Sequence, residues 1–298
     1  MLTNTTPKVS IIIPTYRDWD RLNLCLECLK NQSLSLDNFE VIIINNDSSD
    51  GFELTDIPNN FKLIVEPKAG SYAARNAALS IARGEIVGFT DSDCLPDRNW
   101  IQNALFYFEE KNAERVAGKV KIFPKEVGNE TWPELYESFF AFNQKRNVDK
   151  LKGAITANFF TKKLFFDTVG LFNSDLKSGE DFGWNRRANN FDISLTYADD
   201  VVVKHPARSK YSELAKKKRR VFGGQKKFDF KNIKGFVKEI TYIPTLFVLT
   251  FIIPTYRLFR ESNLGFWSQV KVVYVIFYLF LILLKEYFKL LFGGERER

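Results

Sequence analysis

Asp91 and Asp93 stand one residue apart in TDSDC, where the apolar run EIVGF ends. Two carboxylates on neighbouring turn positions can address one ligand together, and a bound cation offsets the repulsion between them. The competing reading is a solvated turn, so their weight comes from the company they keep. Two other aliphatic runs also stop at polar residues: VSIII leads into Pro14, Thr15 and Tyr16, and VIIINNDSSDG carries Asp47. Further along, SGEDFGW sets Glu180 and Asp181 after a glycine and at the start of a helical pattern, where the helix dipole favours ionised carboxylates. His205, the single histidine, follows the apolar run Val201 to Val203. One imidazole beside a carboxylate is a workable half of a divalent-metal site; a buried structural role competes with it.

The elements that must position these groups are readable from periodicity. KVSIIIPTYR is a short aliphatic run ending at Pro14, and Leu22, Cys25, Leu26 and Leu29 follow at helical spacing. FEVIIINN, FKLIVEP and EIVGFT repeat the strand pattern, while GSYAARNAALSIARGE spaces small residues as a helix does. Strands rich in Ile and Val that alternate with helices predict an α/β fold, a mostly parallel sheet flanked by helices on both faces. Ligands of such sheets collect at the carboxyl ends of the strands, which is where PTYR, NNDSSD and TDSD would converge. No glycine lies between Ser10 and Gly51. That excludes a G-x-G-x-x-G or Walker A loop at the first strand-to-helix turn and weakens a sugar-1-phosphate nucleotidyltransferase. A site without a glycine-rich phosphate cradle must neutralise phosphate by other means, most simply with a cation held by acidic side chains.

The 298 residues carry a net charge of +7, concentrated in KHPARSKYSELAKKKRR and QKKFDFKNIKGFVKE. Both precede an apolar C-terminal part, a placement that predicts contact with phosphate head groups of a cytoplasmic leaflet rather than nucleic acid. Two apolar stretches, Tyr242 to Tyr256 and Val272 to Leu284, are each shorter than the roughly 20 residues an upright span needs. Two spanning helices, an interfacial or re-entrant hairpin and a soluble helical subdomain are the three readings. The hexapeptide IIPTYR occurs at 12–17 and 252–257 with unrelated flanks, so it marks no repeat. Cys25 and Cys28 form a C-x-x-C inside the amphipathic helix, and only Cys94 and His205 remain as further soft ligands; core packing is the expectation over zinc. MLTNTTPKVS has no apolar signal region, so the first domain is expected to stay in the cytosol.

Taken in order, VSIIIPTYR, VIIINNDSSDG, GSYAARNAAL, GEIVGFTDSD, VGLFNSDLKSGEDFGWNRR and VVVKHP resemble the motifs of a family 2 glycosyltransferase of the GT-A fold, from about Val9 to His205. The resemblance implies that Pro14, Thr15 and Tyr16 line the nucleotide pocket and that Asp47 hydrogen-bonds the base. It implies Gly70 and Arg75 near the donor's phosphates or ribose, Asp91 on ribose or sugar, and Asp93 with His205 on a divalent metal, Mn2+ or Mg2+. Asp181 resembles the catalytic base, Glu180 an acceptor-positioning group, and Arg187 a basic position later in the same motif. Trp184 is a sugar-stacking candidate, with core burial the favoured alternative. Lys68 stands where the family often has Asn, and Cys94 where another acid is common; both bear on donor preference.

The expected architecture is a GT-A domain over 1–210, a basic linker or juxtamembrane segment over 211–240 and a membrane-associated helical region over 241–298. The expected activity is inverting, metal-dependent transfer of a sugar from a nucleotide-sugar donor, a UDP-sugar favoured, to a hydroxyl of a saccharide or lipid-linked acceptor. Its setting would be cell-surface or extracellular polysaccharide synthesis at the cytoplasmic face of the inner or plasma membrane. A sugar-1-phosphate nucleotidyltransferase and a membrane-docked, non-catalytic binding protein are the alternatives. Released nucleoside diphosphate, released pyrophosphate or no turnover separates the three.

Overall fold

The computed structural model describes residues 6–52, 55, 57–225 and 241–295. The chain divides into two compact units, Met1–Lys121 with Phe142–His205, and Ile122–Ala141 with Pro206–Arg298.

In the first unit, β1 (Val9–Thr15), β2 (Phe39–Asn45), β3 (Phe61–Val65) and β4 (Ile86–Thr90) are the aliphatic runs of the sequence, and they pair in parallel in the order β3-β2-β1-β4. The side chains of β1, β2 and β4 are buried on both sides, as a sheet covered on both faces requires, while the edge strand β3 exposes Lys62 and Val65. Val9, Ile11 and Ile13 of β1 face α1 (Trp19–Lys30), while Ile12 packs with α2 (Ser71–Ile81) in a separate cluster. The register sets Thr15 opposite Asn45, so the polar ends of β1 and β2 stop level with each other.

Beyond β4 the sheet changes character. Two-residue β5 (Leu95–Pro96), which α3 (Trp100–Glu109) follows, β6 (Arg115–Phe123), β7 (Asn158–Lys162) and β8 (Leu195–Pro206) are the four strands that complete the eight, in the order β3-β2-β1-β4-β7-β6-β8-β5. β7 runs antiparallel to both β4 and β6. The sheet is therefore mixed, where the sequence predicted it mostly parallel. Gly88 lies at the β4–β7 contact: a Cβ there would come within 2.4 Å of the Phe160 ring, so a side chain at this position would force the two strands apart.

The second unit holds α4 (Trp132–Phe140), α8 (Tyr211–Gln225), α9 (Thr241–Glu261) and α10 (Phe266–Leu291). The first unit supplies α5 (Gln144–Leu151), α6 (Phe165–Val169) and α7 (Glu180–Asn189). A Thr131–Glu134 capping box opens α4. Glu137 of α4, 1% exposed, pairs with Arg208 at 2.9 Å and Lys217 at 3.2 Å. Burial disfavours its charge, but the two cations outweigh burial and hold its carboxyl below the usual range. In α9 a π-helical turn, Val248–Ile252, precedes Pro254, whose ring displaces the regular backbone bond. Of the stretch 211–240, expected as a basic linker or juxtamembrane segment, 211–225 is the helix α8, packed on α10 through Tyr211, Leu214 and Phe222, and the rest lies outside the described residues.

Candidate active site

The site is built where β1, β2 and β4 end. Asp91 follows β4 and accepts from Arg75 Nη2 at 2.7 Å. Arg75 comes from α2, is 3% exposed, and leaves its Nε buried without a partner among the described residues. Thr15 Oγ1, at the end of β1, is orphaned in the same way. Buried donors left unmade are costly, so the two orphans mark where a polar ligand would complete the site. Burial pushes the Asp91 carboxyl up, Arg75 opposes this, and the charge of Asp93 adds to it.

Asp93 turns toward β8. Its Oδ2 lies 3.4 Å from Nε2 of His205, which is 2% exposed and packed on the Phe142 ring at 4.2 Å. Arg21 of α1 reaches the same oxygen at 3.7 Å while donating to Asp18 at 2.7 Å, and Asp18 in turn accepts from Ser92 at 3.3 Å. Among the described residues no group of three His, Cys, Asp or Glu is arranged to hold a metal. A carboxylate and an imidazole facing one another nonetheless fit two positions of a divalent cation's shell, the remainder falling to ligand and water oxygens.

Asp47 is fixed by its own turn. Its Oδ1 accepts the Ser49 N–H at 3.0 Å and hydroxyl at 2.6 Å, and Oδ2 accepts from Arg17. The Ser49 and Arg17 bonds hold its carboxyl below the usual range. Arg17 adopts φ 52° directly after Tyr16, which is 61% exposed, and the Arg17 guanidinium lies over the Tyr16 ring at 5.4 Å. Pro14 is half-buried beside them. Gly70 caps α2 at φ 128° and donates to Asn46 Oδ1 at 2.6 Å; that positive φ is one that glycine adopts without penalty. Asn46 also donates to the carbonyls of Glu66 and Lys68 at 2.8 Å each, tying the β2 turn to the loop before α2. Lys68 pairs with Asp175 at 2.9 Å.

Asp181 lies in the first turn of α7, behind the N-cap Gly179 at φ 86°. Its Oδ2 accepts from the Thr156 N–H at 3.2 Å and hydroxyl at 3.3 Å. The buried Tyr72 hydroxyl accepts the Glu180 N–H at 3.1 Å; burial first, and then Asp181's charge, push that phenol well up. Asp181's charge also acts on Asp91, so the two carboxylates share one electrostatic environment.

Glu180 faces elsewhere: it is 3% exposed, paired with Arg187 at 2.8 Å and accepting the Asn173 N–H at 2.9 Å. Trp184 is fully buried among Phe159, Phe166 and Phe172, which is the core position favoured for it. Cys25 and Cys94 are buried with thiols pushed well up by desolvation, the behaviour of packing residues rather than ligands.

Thr156, Tyr72, Asp18, Arg21 and Asn46 join the site only through the fold. Asn46 had a local signal, since it precedes Asp47 in a polar strand end; Thr156 stands 25 residues from its partner and had none. Thr156 is 4% exposed, so Thr156→Val preserves shape and removes only the hydroxyl bond to Asp181. Losing one charge-assisted bond predicts a fall in kcat of about tenfold with the donor KM nearly unchanged, checked by steady-state kinetics against both substrates.

Comparison with known proteins follows the same lines. The Glycosyl transferase family 2 profile matches residues 10–169. Glycosyltransferase AglE of Haloferax volcanii is 34% identical over 230 residues, 75% of this chain and 75% of that protein. The poly(ribitol-phosphate) beta-glucosyltransferase of Bacillus spizizenii is 30% identical over 142 residues, covering 43% of this chain and 22% of that protein. Among solved structures, S. aureus TarS 1-349 in complex with UDP superposes with a TM-score of 0.52 at 17% identity, over 93% of this chain and 91% of that one. With a profile matched over more than half of the chain and a relative matched along three quarters of both chains, this chain belongs to glycosyl transferase family 2 and is a glycosyltransferase.

Proposed function

We propose that the chain moves a sugar from a nucleotide-sugar donor, a UDP-sugar favoured, to a hydroxyl of a saccharide or lipid-linked acceptor, with inversion and with a divalent metal, in cell-surface or extracellular polysaccharide synthesis. The observation that carries this reading is the convergence of Asp91 on Arg75, Asp93 on His205, and Asp181 within electrostatic reach of Asp91. The UDP held by the TarS structure and the poly(ribitol-phosphate) chemistry in the name of a relative support the donor class and the polymer setting.

Each residue then has a task that its surroundings suit. Tyr16 offers its ring and Asp47 a fixed acceptor to the base; Thr15 Oγ1 and Arg75 Nε supply the unmade bonds to the donor. Asp93 and His205 would hold Mn2+ or Mg2+, which when bound stabilises charge on the departing diphosphate. Asp181, held by Thr156, takes the proton of the acceptor hydroxyl as its oxygen attacks the anomeric carbon. One displacement of this kind inverts the anomeric configuration.

α9 and α10, 21 and 26 residues long, have the overall length and mean hydropathy of membrane-crossing helices. Only 11% and 33% of their most apolar windows are buried, unlike core helices of a soluble protein. They support attachment to a membrane, here placed at its cytoplasmic face. A screen of nucleotide-sugars with purified protein and manganese or magnesium tests the reaction. Release of nucleoside diphosphate is expected; release of pyrophosphate would make the chain a nucleotidyltransferase, and no release with any donor would make it a binding protein.

A further inference from the structure

The membrane attachment just proposed leaves open how α9 and α10 meet the bilayer, and their packing within the second unit decides it. The two helices form an antiparallel hairpin, with ring pairs Phe251–Phe277 at 5.7 Å, Phe247–Phe280 at 5.2 Å and Tyr242–Tyr287 at 5.8 Å. One face of α10, including Val272, Val275, Leu279 and Leu283, is buried. Part of that cover is α8, which runs beside α10 in the same direction: Tyr211 meets Tyr278 at 5.0 Å and Phe222 meets Tyr287 at 6.4 Å. The basic run 216–220 of α8 therefore lies level with the second half of α10's apolar stretch.

Two quantities oppose a crossing. Between Lys271 and Lys285 the apolar stretch is about 13 residues, or ~20 Å at 1.5 Å per residue, against ~30 Å of hydrocarbon. A crossing α10 would also carry the Lys and Arg residues of α8 to membrane depth, where charges on a packed helix are strongly disfavoured. The opposite faces suit another geometry. Val248, Leu249, Ile252 and Tyr256 of α9 are exposed in one row, and Val270, Tyr274, Phe277, Leu281 and Phe288 of α10 in another, each at steps that keep to a single helix face. Lys271, Lys285 and Lys289 follow steps of 14 and 4 residues, which set them in one row along the border of the α10 stripe. Apolar stripe and lysine border together match the acyl boundary and the phosphates of an anionic leaflet.

We propose that the α9–α10 hairpin lies in the plane of a single anionic leaflet, with its apolar stripes sunk into the acyl boundary and its lysines at phosphate level, and does not cross the bilayer. The hairpin turn then stays on the same side as the rest of the chain.

Asn263 is an exposed residue of that turn. Full-length Asn263→Cys would be expressed in a bacterial host, and its membranes treated with a membrane-impermeant maleimide in intact spheroplasts and again after permeabilisation. The unsubstituted chain, with its own cysteines, serves as the blank. The expected result is a membrane-bound protein whose introduced thiol reacts only after permeabilisation. Reaction in intact spheroplasts would show two crossing helices, and reaction in neither sample a turn sunk in the membrane; each overturns the in-plane geometry while membrane attachment stands. A chain that stays in the supernatant without detergent overturns the attachment itself, and the in-plane geometry with it.

Discussion

Asp181→Asn is expected to lower turnover at saturating donor and acceptor by about 10²- to 10⁴-fold, the usual worth of a general base, with little change in donor affinity. Asn keeps the shape of the side chain, and its carbonyl oxygen can still accept from the Thr156 N–H and hydroxyl, which lie 3.2 and 3.3 Å from Oδ2 in the parent. What it cannot do is take the acceptor's proton. Glu180 supplies the internal control. Its carboxylate is buried against Arg187 and the Asn173 N–H, so Glu180→Gln should disturb the loop before α7 and act on acceptor use and stability together. Donor binding by equilibrium titration, with single-turnover rates on the true acceptor, separates the two variants. Near-normal turnover in folded Asp181→Asn would overturn its assignment as base.

Why Asp181 was legible in the sequence while Thr156 was not follows from the range of the signals. Gly179, Glu180 and Asp181 announce a helix start within three residues, and VSIII, VIIIN and IVGFT announce doubly buried strands by composition alone. Thr156 reaches Asp181 because β7 runs antiparallel to β4, a pairing that no local pattern specifies. The mixed half of the sheet was hidden for the same reason: RVAGKVKIF and NFFTK lack the continuous aliphatic character of β1 and β2. IIPTYR makes the limit of local reading concrete. At 12–17 it finishes a buried strand and enters a loop; at 252–257 it continues a helix whose Ile252, Ile253 and Tyr256 are exposed. The hexapeptide is the same, and its surroundings choose the conformation. In α8 the lysines masked the apolar positions Tyr211, Leu214 and Phe222, so a packed helix read as a charged linker.

Asp93→Asn should have an effect of comparable size by a different route. The carboxylate faces His205 Nε2 and also receives Arg21; replacing it removes the charged oxygen of the proposed carboxylate–imidazole pair. Metal stabilisation of a departing diphosphate is worth several kcal/mol, so turnover is expected to fall by about three orders of magnitude at fixed manganese. His205→Ala should cost less, roughly tenfold, because a nitrogen ligand contributes less to a hard cation than a charged oxygen does. Manganese binding in the presence of the nucleoside diphosphate, followed by paramagnetic resonance, reads the metal site without any turnover. It should weaken in both variants and more in Asp93→Asn. The neighbouring carboxyl gives an independent sign. Asp91 is raised first by burial and then by Asp93's charge, against the pull of Arg75. Removing the Asp93 charge lets Asp91 ionise at lower pH, so the acid limb of donor binding should move down in Asp93→Asn, and it should move the opposite way in His205→Ala, because the His205 charge pulls Asp91 down. Unchanged manganese binding in a folded Asp93→Asn protein would return Asp93 to the solvated turn that is its competing reading, and would leave His205 as a buried packing residue against Phe142.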